Sequence, residues 1–352
     1  MKALVCHAPH DLRLDTLPDE SLNPQQLRVR VAYGGICGSD LHYYHQGGFG
    51  TVRIKEPMVL GHEVSGIITE VGSACIEQGL IAGQRIAISP SRPCGLCRYC
   101  QKGQHNHCLD MRFYGSAMRF PHIHGAFRDE LIIEAYQAHI LAPHMDLSLA
   151  ALAEPLSVGL HAIQRAGSVF GKQVLVTGCG PIGSLLIGAI RRAGAARIVA
   201  VDLADKPLEC ARAMGADETI NLLRTPDALA PFTQNKGHFD VMFEASGSDK
   251  ALRTGLDVVA PRGVIVTIGL GGESHLPLNA LVGKELELRG TFRFHEEFAV
   301  AVRFLNEGLI DGRPVISHVV DVAQATDAFE LASDKSQAMK VQLRFTDDTV
   351  TT

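Results

Sequence analysis

One short segment constrains the fold of this chain more than any other. The apolar run KQVLVTG (172–178) leads into the glycine turn GCGPIG (178–183), and a helical pattern follows the turn. A strand, a G-x-G-x-x-G turn and a helix in this order bind a dinucleotide, because the glycines let the backbone approach the pyrophosphate and the helix N-terminus attracts it. The predicted cofactor contacts are Gly178, Gly180, Pro181, Ile182 and Gly183.

Strand and helix patterns alternate through the middle of the chain. Apolar runs rich in β-branched residues recur at 196–202, 239–246 and 262–269, with helical patterns between them. This alternation predicts an α/β fold with a doubly wound parallel sheet. The run at 196–202 ends at Asp202, whose carboxylate favours NAD because it binds the ribose hydroxyls and repels a 2′-phosphate. Lys206 lies nearby in the sequence, so NADP stays open as the alternative.

Length and charge exclude several function classes. The 352 residues suggest about two domains, and the net charge of −5 gives no support for a nucleic-acid partner. No segment predicts a membrane span or an export signal. The nine cysteines are therefore expected to be reduced thiols or metal ligands in a cytoplasmic protein. Residues 1–150, with many Gly and Pro and short alternating runs, predict a β-rich domain.

Four cysteines follow one another with metal-ligand spacing. The segment reads C-x2-C-x2-C-x7-C and supplies Cys94, Cys97, Cys100 and Cys108. Four thiolates close a tetrahedral zinc shell and leave no position for substrate, so the predicted site is structural. Iron–sulfur ligation is the alternative, although the usual C-P ending is missing. His105 and His107 lie within the segment as competing ligands.

A reactive metal must then be bound elsewhere, by residues dispersed along the first domain. Cys37 lies in GGICGSDLHYY, His62 and Glu63 lie in VLGHEVSG, and Glu154 lies in LAEPLSVGLH. One thiolate, one imidazole and one carboxylate leave a fourth zinc position for water or a substrate oxygen, as in catalytic sites. Each of these residues alone is a weak signal, because buried cysteines and histidines are common in protein cores.

Taken together, the motifs resemble those of one protein family. CGSDLH, GHE, the four-cysteine segment, AEP and the glycine turn are similar to those of the zinc-dependent medium-chain dehydrogenases/reductases over essentially the whole chain. The alcohol dehydrogenases have a second cysteine at the position of Glu154. With glutamate there, this chain is similar to the sorbitol (L-iditol) dehydrogenase branch. CGSDLHYY, DMRFYGSAMRFPHIHGAF and LRGTFRF most resemble the L-idonate 5-dehydrogenases of that branch.

The resemblance implies an architecture. It predicts a catalytic GroES-like zinc domain formed by residues 1–152 and 291–352, and an NAD-binding Rossmann domain formed by residues 153–290. It also implies two zinc ions per chain, one catalytic and one structural. The implied assembly is a homotetramer, with a homodimer as the alternative.

The resemblance also assigns roles to single residues. Cys37 and His62 would bind the catalytic zinc together with Glu63 or Glu154, and which glutamate binds directly stays open. Ser39 would lie beside the reacting alcohol, and His42 would end a proton relay through the nicotinamide ribose. Residues implied to lie at or near the substrate pocket are Tyr43, Arg112, Arg119 and Arg293, with His122 and His124 close by.

These roles predict hydride transfer between a secondary alcohol and NAD(P). The expected substrate is a sugar acid, with L-idonate oxidised to 5-keto-D-gluconate, because a buried carboxylate needs a cation such as arginine. A dehydrogenase of neutral polyols such as sorbitol, L-iditol or xylitol is the alternative. A threonine dehydrogenase fits the pocket segments less well. A non-catalytic binding or sensor protein would be expected to have lost Cys37, His62 or the relay pair.

Overall fold

A computed structural model describes residues 1–346, and the predicted catalytic segment 291–352 therefore ends with six residues outside the described part. The strands of the described residues are β1 (Lys2–Ala8), β2 (Asp11–Thr16), β3 (Gln26–Gly35), β4 (Gly48–Phe49), β5 (Val52–Arg53), β6 (Met58–Val59), β7 (Glu63–Val71), β8 (Arg85–Ile88), β9 (Ser91–Arg92), β10 (Arg112–Phe113), β11 (Glu130–Glu134), β12 (Ala138–Ile140), β13 (Gln173–Thr177), β14 (Arg197–Asp202), β15 (Glu218–Asn221), β16 (Phe239–Glu244), β17 (Val259–Thr267), β18 (Glu287–Gly290), β19 (Ile316–Asp321) and β20 (Lys340–Arg344).

The α-helices are interspersed among these strands. They are α1 (Gly38–Gln46), α2 (Leu147–Ala150), α3 (Ala153–Ala166), α4 (Pro181–Arg192), α5 (Asp205–Ala213), α6 (Asp249–Val258), α7 (Leu278–Lys284), α8 (Glu297–Asn306) and α9 (Ala325–Ser333). No helix within residues 1–346 combines the length and the apolar character that crossing a bilayer would require.

Six parallel strands form a doubly wound sheet in the middle of the chain. Their spatial order is β15-β14-β13-β16-β17-β18, so the order reverses between β13 and β16. This is the Rossmann order, which opens a crevice at the carboxyl ends of the strands at the reversal point. Val174 and Val176 pack on one face of β13 and Leu175 packs on the other, which explains the continuous apolar run in the sequence. The predicted α/β class is thereby confirmed.

A second sheet is built from the N-terminal segment and the end of the chain. Its strands run in the order β12-β8-β7-β3-β20-β19, and β11 also pairs with β3. β20 is antiparallel to β3, with Leu343 opposite Gly34, so the C-terminal strands lie in the sheet of the first domain. The predicted boundaries at 152/153 and 290/291 stay a prediction, although α3 begins and β18 ends at those positions.

Candidate active site

The glycine turn has the geometry that a dinucleotide requires. A Cβ on Gly183 would lie 1.9 Å from the carbonyl oxygen of Gly178, so α4 can approach β13 this closely only with glycine there. Gly178 itself has φ of +84°, in the left-handed region. A Cβ on Gly180, which precedes Pro181 at the start of α4, would meet no atom within 4 Å. This open backbone at a helix N-terminus fits a pyrophosphate.

Asp202 lies beside this turn at the end of β14. Its Oδ2 accepts a hydrogen bond of 2.7 Å from the backbone N–H of Cys179, and its Oδ1 accepts one of 2.7 Å from Leu203. The carboxylate is therefore fixed against the turn between β13 and α4. Lys206 donates to the carbonyl oxygen of Gln337, so its charge is engaged away from Asp202.

The four cysteines of the predicted structural site converge, with all their sulfur atoms within 4.8 Å of one another. Backbone amides donate to these sulfurs, including Cys94 N–H to Cys108 Sγ at 3.2 Å. Amide donation from Cys100 and Leu109 lowers the pKa of Cys97 to about 6, so this sulfur is a thiolate at neutral pH. The donor set fits a tetrahedral zinc ion.

The two histidines of this segment pack elsewhere. The ring of His105 stacks on His295 with centroids 3.8 Å apart, and the ring of His107 packs towards Phe292 with a centroid distance of 6.0 Å. The amide of Asn106 donates to the carbonyl oxygen of Phe292 at 2.9 Å. The four-cysteine segment therefore supports the backbone next to Arg293.

Cys37, His62 and Glu63 form a second cluster, in which one donor atom of each lies within 4.8 Å of the others. β3 and β7 bring these residues together, because Gly35 pairs with Glu63 and Cys37 follows β3 at the N-cap of α1. A Cβ on Gly35 would lie 2.2 Å from Glu63 Oε2. Only glycine at this position leaves space for the carboxylate.

Two charged residues that the motifs did not identify support this cluster. Asp40 is fully buried, accepts from the N–H of Cys37 at 3.0 Å and from that of Gly61 at 3.1 Å, and lies 3.9 Å from His62 Nδ1. Lys340 Nζ lies 2.8 Å from Glu63 Oε1 and 2.7 Å from Oε2. The position of Asp40 three residues after Cys37 was a local signal, whereas nothing in the sequence links Lys340 to this site.

Glu154, in the first turn of α3, lies close to the cluster but outside the group of three mutually close residues. Burial raises its pKa to about 8, with the charges of Glu63 and Cys37 adding to the effect and those of His62 and Lys340 opposing it. Burial also raises the pKa of Cys37 to about 12. Within residues 1–346, His62 Nδ1 also has no hydrogen-bond partner. A buried imidazole nitrogen beside buried acidic groups that resist ionisation fits a site for a divalent cation.

Arg293 lies within electrostatic range of both Glu154 and Tyr43. Burial lowers the pKa of Arg293 to about 10, and the charges of Glu154 and Tyr43 act in the opposite direction. The guanidinium lies over the ring of Phe113, with its central carbon 4.0 Å from the centroid, and donates to Ser116 Oγ at 3.4 Å. Arg293 has φ of +53°, a strained conformation for a non-glycine residue.

The remaining predicted residues divide into two groups. Ser39 and His42 are partly buried on α1, and the ring of His42 packs near Phe49. Arg119 is paired with Asp110, and Arg112 lies 3.8 Å from the same carboxylate, with about half of its side chain exposed. Both arginines therefore lie beside the carboxylate of Asp110, away from the contacts described for Arg293.

The histidines of the pocket segment are engaged with backbone. His122 Nε2 accepts from the N–H of Lys55 at 2.8 Å, and His124 Nδ1 accepts from that of Val59 at 3.2 Å. Burial lowers the pKa of His124. Both side chains therefore hold the loop in place.

Comparisons with known proteins agree with this architecture. Residues 23–143 match the family described as Alcohol dehydrogenase GroES-like domain, and residues 181–307 match the family described as Zinc-binding dehydrogenase. The L-idonate 5-dehydrogenase (NAD(P)(+)) of Escherichia coli K12 is 44% identical over 318 residues, covering 90% of this chain and 91% of that protein. The Bacillus subtilis sorbitol dehydrogenase is 33% identical over 349 residues, covering 97% of each.

A crystal structure of L-idonate 5-dehydrogenase from Escherichia coli has the same fold. It superposes with a TM-score of 0.93 at 41% sequence identity, and the match covers 97% of each chain. Sequence identity at this level over nearly the full length shows that the two proteins share a family as well as a fold. The chain belongs to the zinc-binding dehydrogenases of the medium-chain type, with a GroES-like domain and a Rossmann sheet, and is an enzyme of that class.

Proposed function

We propose that this enzyme oxidises a secondary alcohol of a sugar acid, with L-idonate converted to 5-keto-D-gluconate and NAD as the hydride acceptor. Two relatives bear on the substrate: one is named an L-idonate 5-dehydrogenase at 44% identity and the other a sorbitol dehydrogenase at 33%. They differ in whether the substrate carries a carboxylate. The choice between these two substrate classes therefore depends on whether the site offers a cation that can bind a carboxylate.

Arg293 is the observation that carries the proposal. Within residues 1–346 its guanidinium forms no ion pair with a carboxylate, and it contacts the rings of Phe113 and Phe292, Ser116 Oγ and Met118 Sδ. Arg293 is half-buried, and a partly desolvated cation without a close carboxylate favours a ligand that brings a negative charge. A planar guanidinium matches a carboxylate with two parallel hydrogen bonds. A neutral polyol would leave this charge unpaired.

Cys37, His62 and one of the glutamates, Glu63 or Glu154, would hold the catalytic zinc. When bound, zinc would lower the pKa of the substrate alcohol, and NAD would accept the hydride. Asp40 lies 3.9 Å from His62 Nδ1, too far for a hydrogen bond. A carboxylate at this distance favours a cation bound by His62 through its charge.

The proton of the alcohol leaves through residues of α1. Ser39 and His42 are three residues apart on this helix, so their side chains point to the same side. In the proposed sequence the Ser39 hydroxyl accepts the substrate proton as it gives up its own, and the His42 imidazole takes up the proton at the end of the relay and releases it to solvent. Imidazole suits the second step because it is the side chain most often used for proton transfer near neutral pH.

The cofactor, metal content and assembly are part of the same proposal. Asp202 beside the glycine turn supports NAD, with NADP as the weaker cofactor. The four-cysteine cluster and the Cys37 cluster support two zinc ions per chain, which metal analysis of the purified enzyme would count. A cytoplasmic homotetramer is proposed from the family, and light scattering would distinguish it from a dimer.

Initial rates for L-idonate and sorbitol test the proposal directly. Arg293→Gln preserves most of the side-chain volume and removes the charge, and Arg112→Ala is the control at an exposed arginine. Losing one partner of a buried charge pair costs about 2–5 kcal/mol. This corresponds to a fall in kcat/KM for L-idonate of about 30-fold or more, with little change for sorbitol.

The opposite outcome has a definite meaning. If sorbitol is turned over as well as L-idonate and Arg293→Gln changes neither rate, the enzyme is a polyol dehydrogenase. If Arg112→Ala reproduces the loss, the carboxylate is bound at the Asp110 side of the pocket instead.

A further inference from the structure

A third cluster of metal-binding side chains lies outside both predicted zinc sites. It consists of His10, His45 and Glu330, with one donor atom of each within 4.8 Å of the other two. His10 lies in the turn between β1 and β2, His45 in the last turn of α1, and Glu330 on α9. Three elements that are distant in sequence therefore place two imidazoles and a carboxylate at one point on the surface.

The chemistry of these donors suits a divalent transition metal. Imidazole and carboxylate together bind Zn²⁺, Ni²⁺ and Cu²⁺, and three protein ligands leave at least one position for water. Two ligands of one zinc ion lie at most about 4.2 Å apart, since each Zn–N or Zn–O bond is about 2.1 Å. His10 and Glu330 are exposed and His45 is half-buried, so small rotations bring the donors into range.

Neighbouring groups already orient two of the three ligands. The Tyr44 hydroxyl donates to Glu330 Oε1 at 2.7 Å, which leaves Oε2 for a metal. His45 Nε2 lies 2.6 Å from Ser333 Oγ on α9. Partners of this kind fix the orientation of metal ligands and increase affinity. The backbone N–H of His10 donates to the carbonyl oxygen of Tyr44 at 2.7 Å, which anchors the third ligand to α1.

We propose that His10, His45 and Glu330 form a further binding site for a divalent transition metal such as Zn²⁺. The site joins the β1–β2 turn and α9 to the C-terminal end of α1. Ser39 and His42 lie on the same helix, and Cys37 is its N-cap. A bound ion therefore stabilises the helix that carries the predicted catalytic residues, without contacting them.

Titration calorimetry with ZnCl₂ tests the site on the enzyme as purified. The variants are His10→Ala and Glu330→Gln, and His144→Ala is the matched control because His144 is an exposed histidine outside the cluster. Wild type and the control are expected to bind one zinc ion more than either variant, with a rise in Tm on adding zinc. Loss of one ligand should weaken this binding by more than about tenfold, the lower range for loss of an outer-sphere partner.

The outcomes separate cleanly. Both variants should retain the basal dehydrogenase rate, which shows that they are folded. Equal zinc binding and an equal Tm rise in wild type and both variants would overturn the proposal. The comparison uses only the difference between variants, so it stands whether or not the proposed substrate and the count of two other zinc ions hold.

Discussion

The buried ion pair between Lys340 and Glu63 yields a prediction whose size follows from the structure. The side chains are 3% and 1% exposed, and Lys340 also donates to the carbonyl oxygen of Ile36 at 3.0 Å. Removing one partner of such a pair leaves an uncompensated buried charge and costs about 3–5 kcal/mol. Lys340→Met, which keeps a similar volume, is therefore expected to lower the free energy of unfolding of the zinc-free protein by that amount.

A double-mutant cycle isolates the ionic contribution. Glu63→Gln alone leaves the ammonium of Lys340 buried without its carboxylate and is expected to cost a similar amount. In the double variant neither charge remains, so the total loss should be smaller than the sum of the single losses by at least about 2 kcal/mol. Urea unfolding of chelator-treated wild type and the three variants gives these four values.

The same experiment with zinc restored gives a second check. A divalent cation beside Glu63 compensates its charge, so Lys340→Met should cost less in the zinc-loaded enzyme than in the zinc-free protein. Single losses that add to within about 0.5 kcal/mol would refute the ionic argument, because independent sites behave in this way. If Lys340→Met lowers the free energy of unfolding equally with and without zinc, the metal does not compensate the charge of Glu63.

Three further predictions test other contacts. Gly183→Ala introduces a Cβ 1.9 Å from the carbonyl oxygen of Gly178. The resulting backbone strain of about 1–3 kcal/mol should weaken NAD binding roughly tenfold. An unchanged NAD affinity in a fluorescence titration would contradict this. Asp40→Asn removes a carboxylate 3.9 Å from His62 Nδ1 and should lower zinc affinity in chelator competition by about fivefold or more, since a unit charge about 4 Å away is worth about 1 kcal/mol even in water. An unaltered affinity would remove the supporting role of this carboxylate. Asn106→Ala breaks the 2.9 Å hydrogen bond to the carbonyl oxygen of Phe292 and should raise the KM for L-idonate more than it lowers kcat, with zinc retained at the four-cysteine site. A loss of that zinc would mean that the substitution disturbs the four-cysteine segment itself.

Much of the fold was predictable because its signals are local. The buried strands were found as apolar runs at 196–202 and 239–246, and the structure has β14 at Arg197–Asp202 and β16 at Phe239–Glu244. β15 and β18, the two edge strands of the parallel sheet, gave no such run because their side chains are mostly half-buried or exposed. An edge strand lacks the continuous apolar character of a strand covered on both faces.

The site was predictable only where its residues form compact motifs. Cys37, His62 and the four-cysteine segment stand in short, recognisable stretches. Lys340 is 277 residues from Glu63 and reaches it because β20 pairs with β3, which in turn pairs with β7. No periodicity or spacing carries that information. The lack of a carboxylate in ion-pair contact with Arg293 within residues 1–346 is equally invisible in the sequence, since it depends on which side chains approach the guanidinium.

The charges of the Cys37 cluster explain why a lysine is buried beside it. Without a cation, burial holds the pKa of Cys37 at about 12 and that of Glu154 at about 8, so both are mainly protonated at neutral pH, and the pair of Lys340 and Glu63 is neutral overall. If Cys37 and Glu154 both bind a divalent ion, the ion would replace their protons, because metal ligands bind in their deprotonated forms. Two positive charges would enter as two protons leave, so this exchange by itself leaves the net charge of the buried site unchanged. Lys340 takes no part in the exchange and neutralises the carboxylate of Glu63 in both states. Without it, the site would carry an unpaired carboxylate when empty and an excess negative charge when loaded, and both states would be penalised by burial.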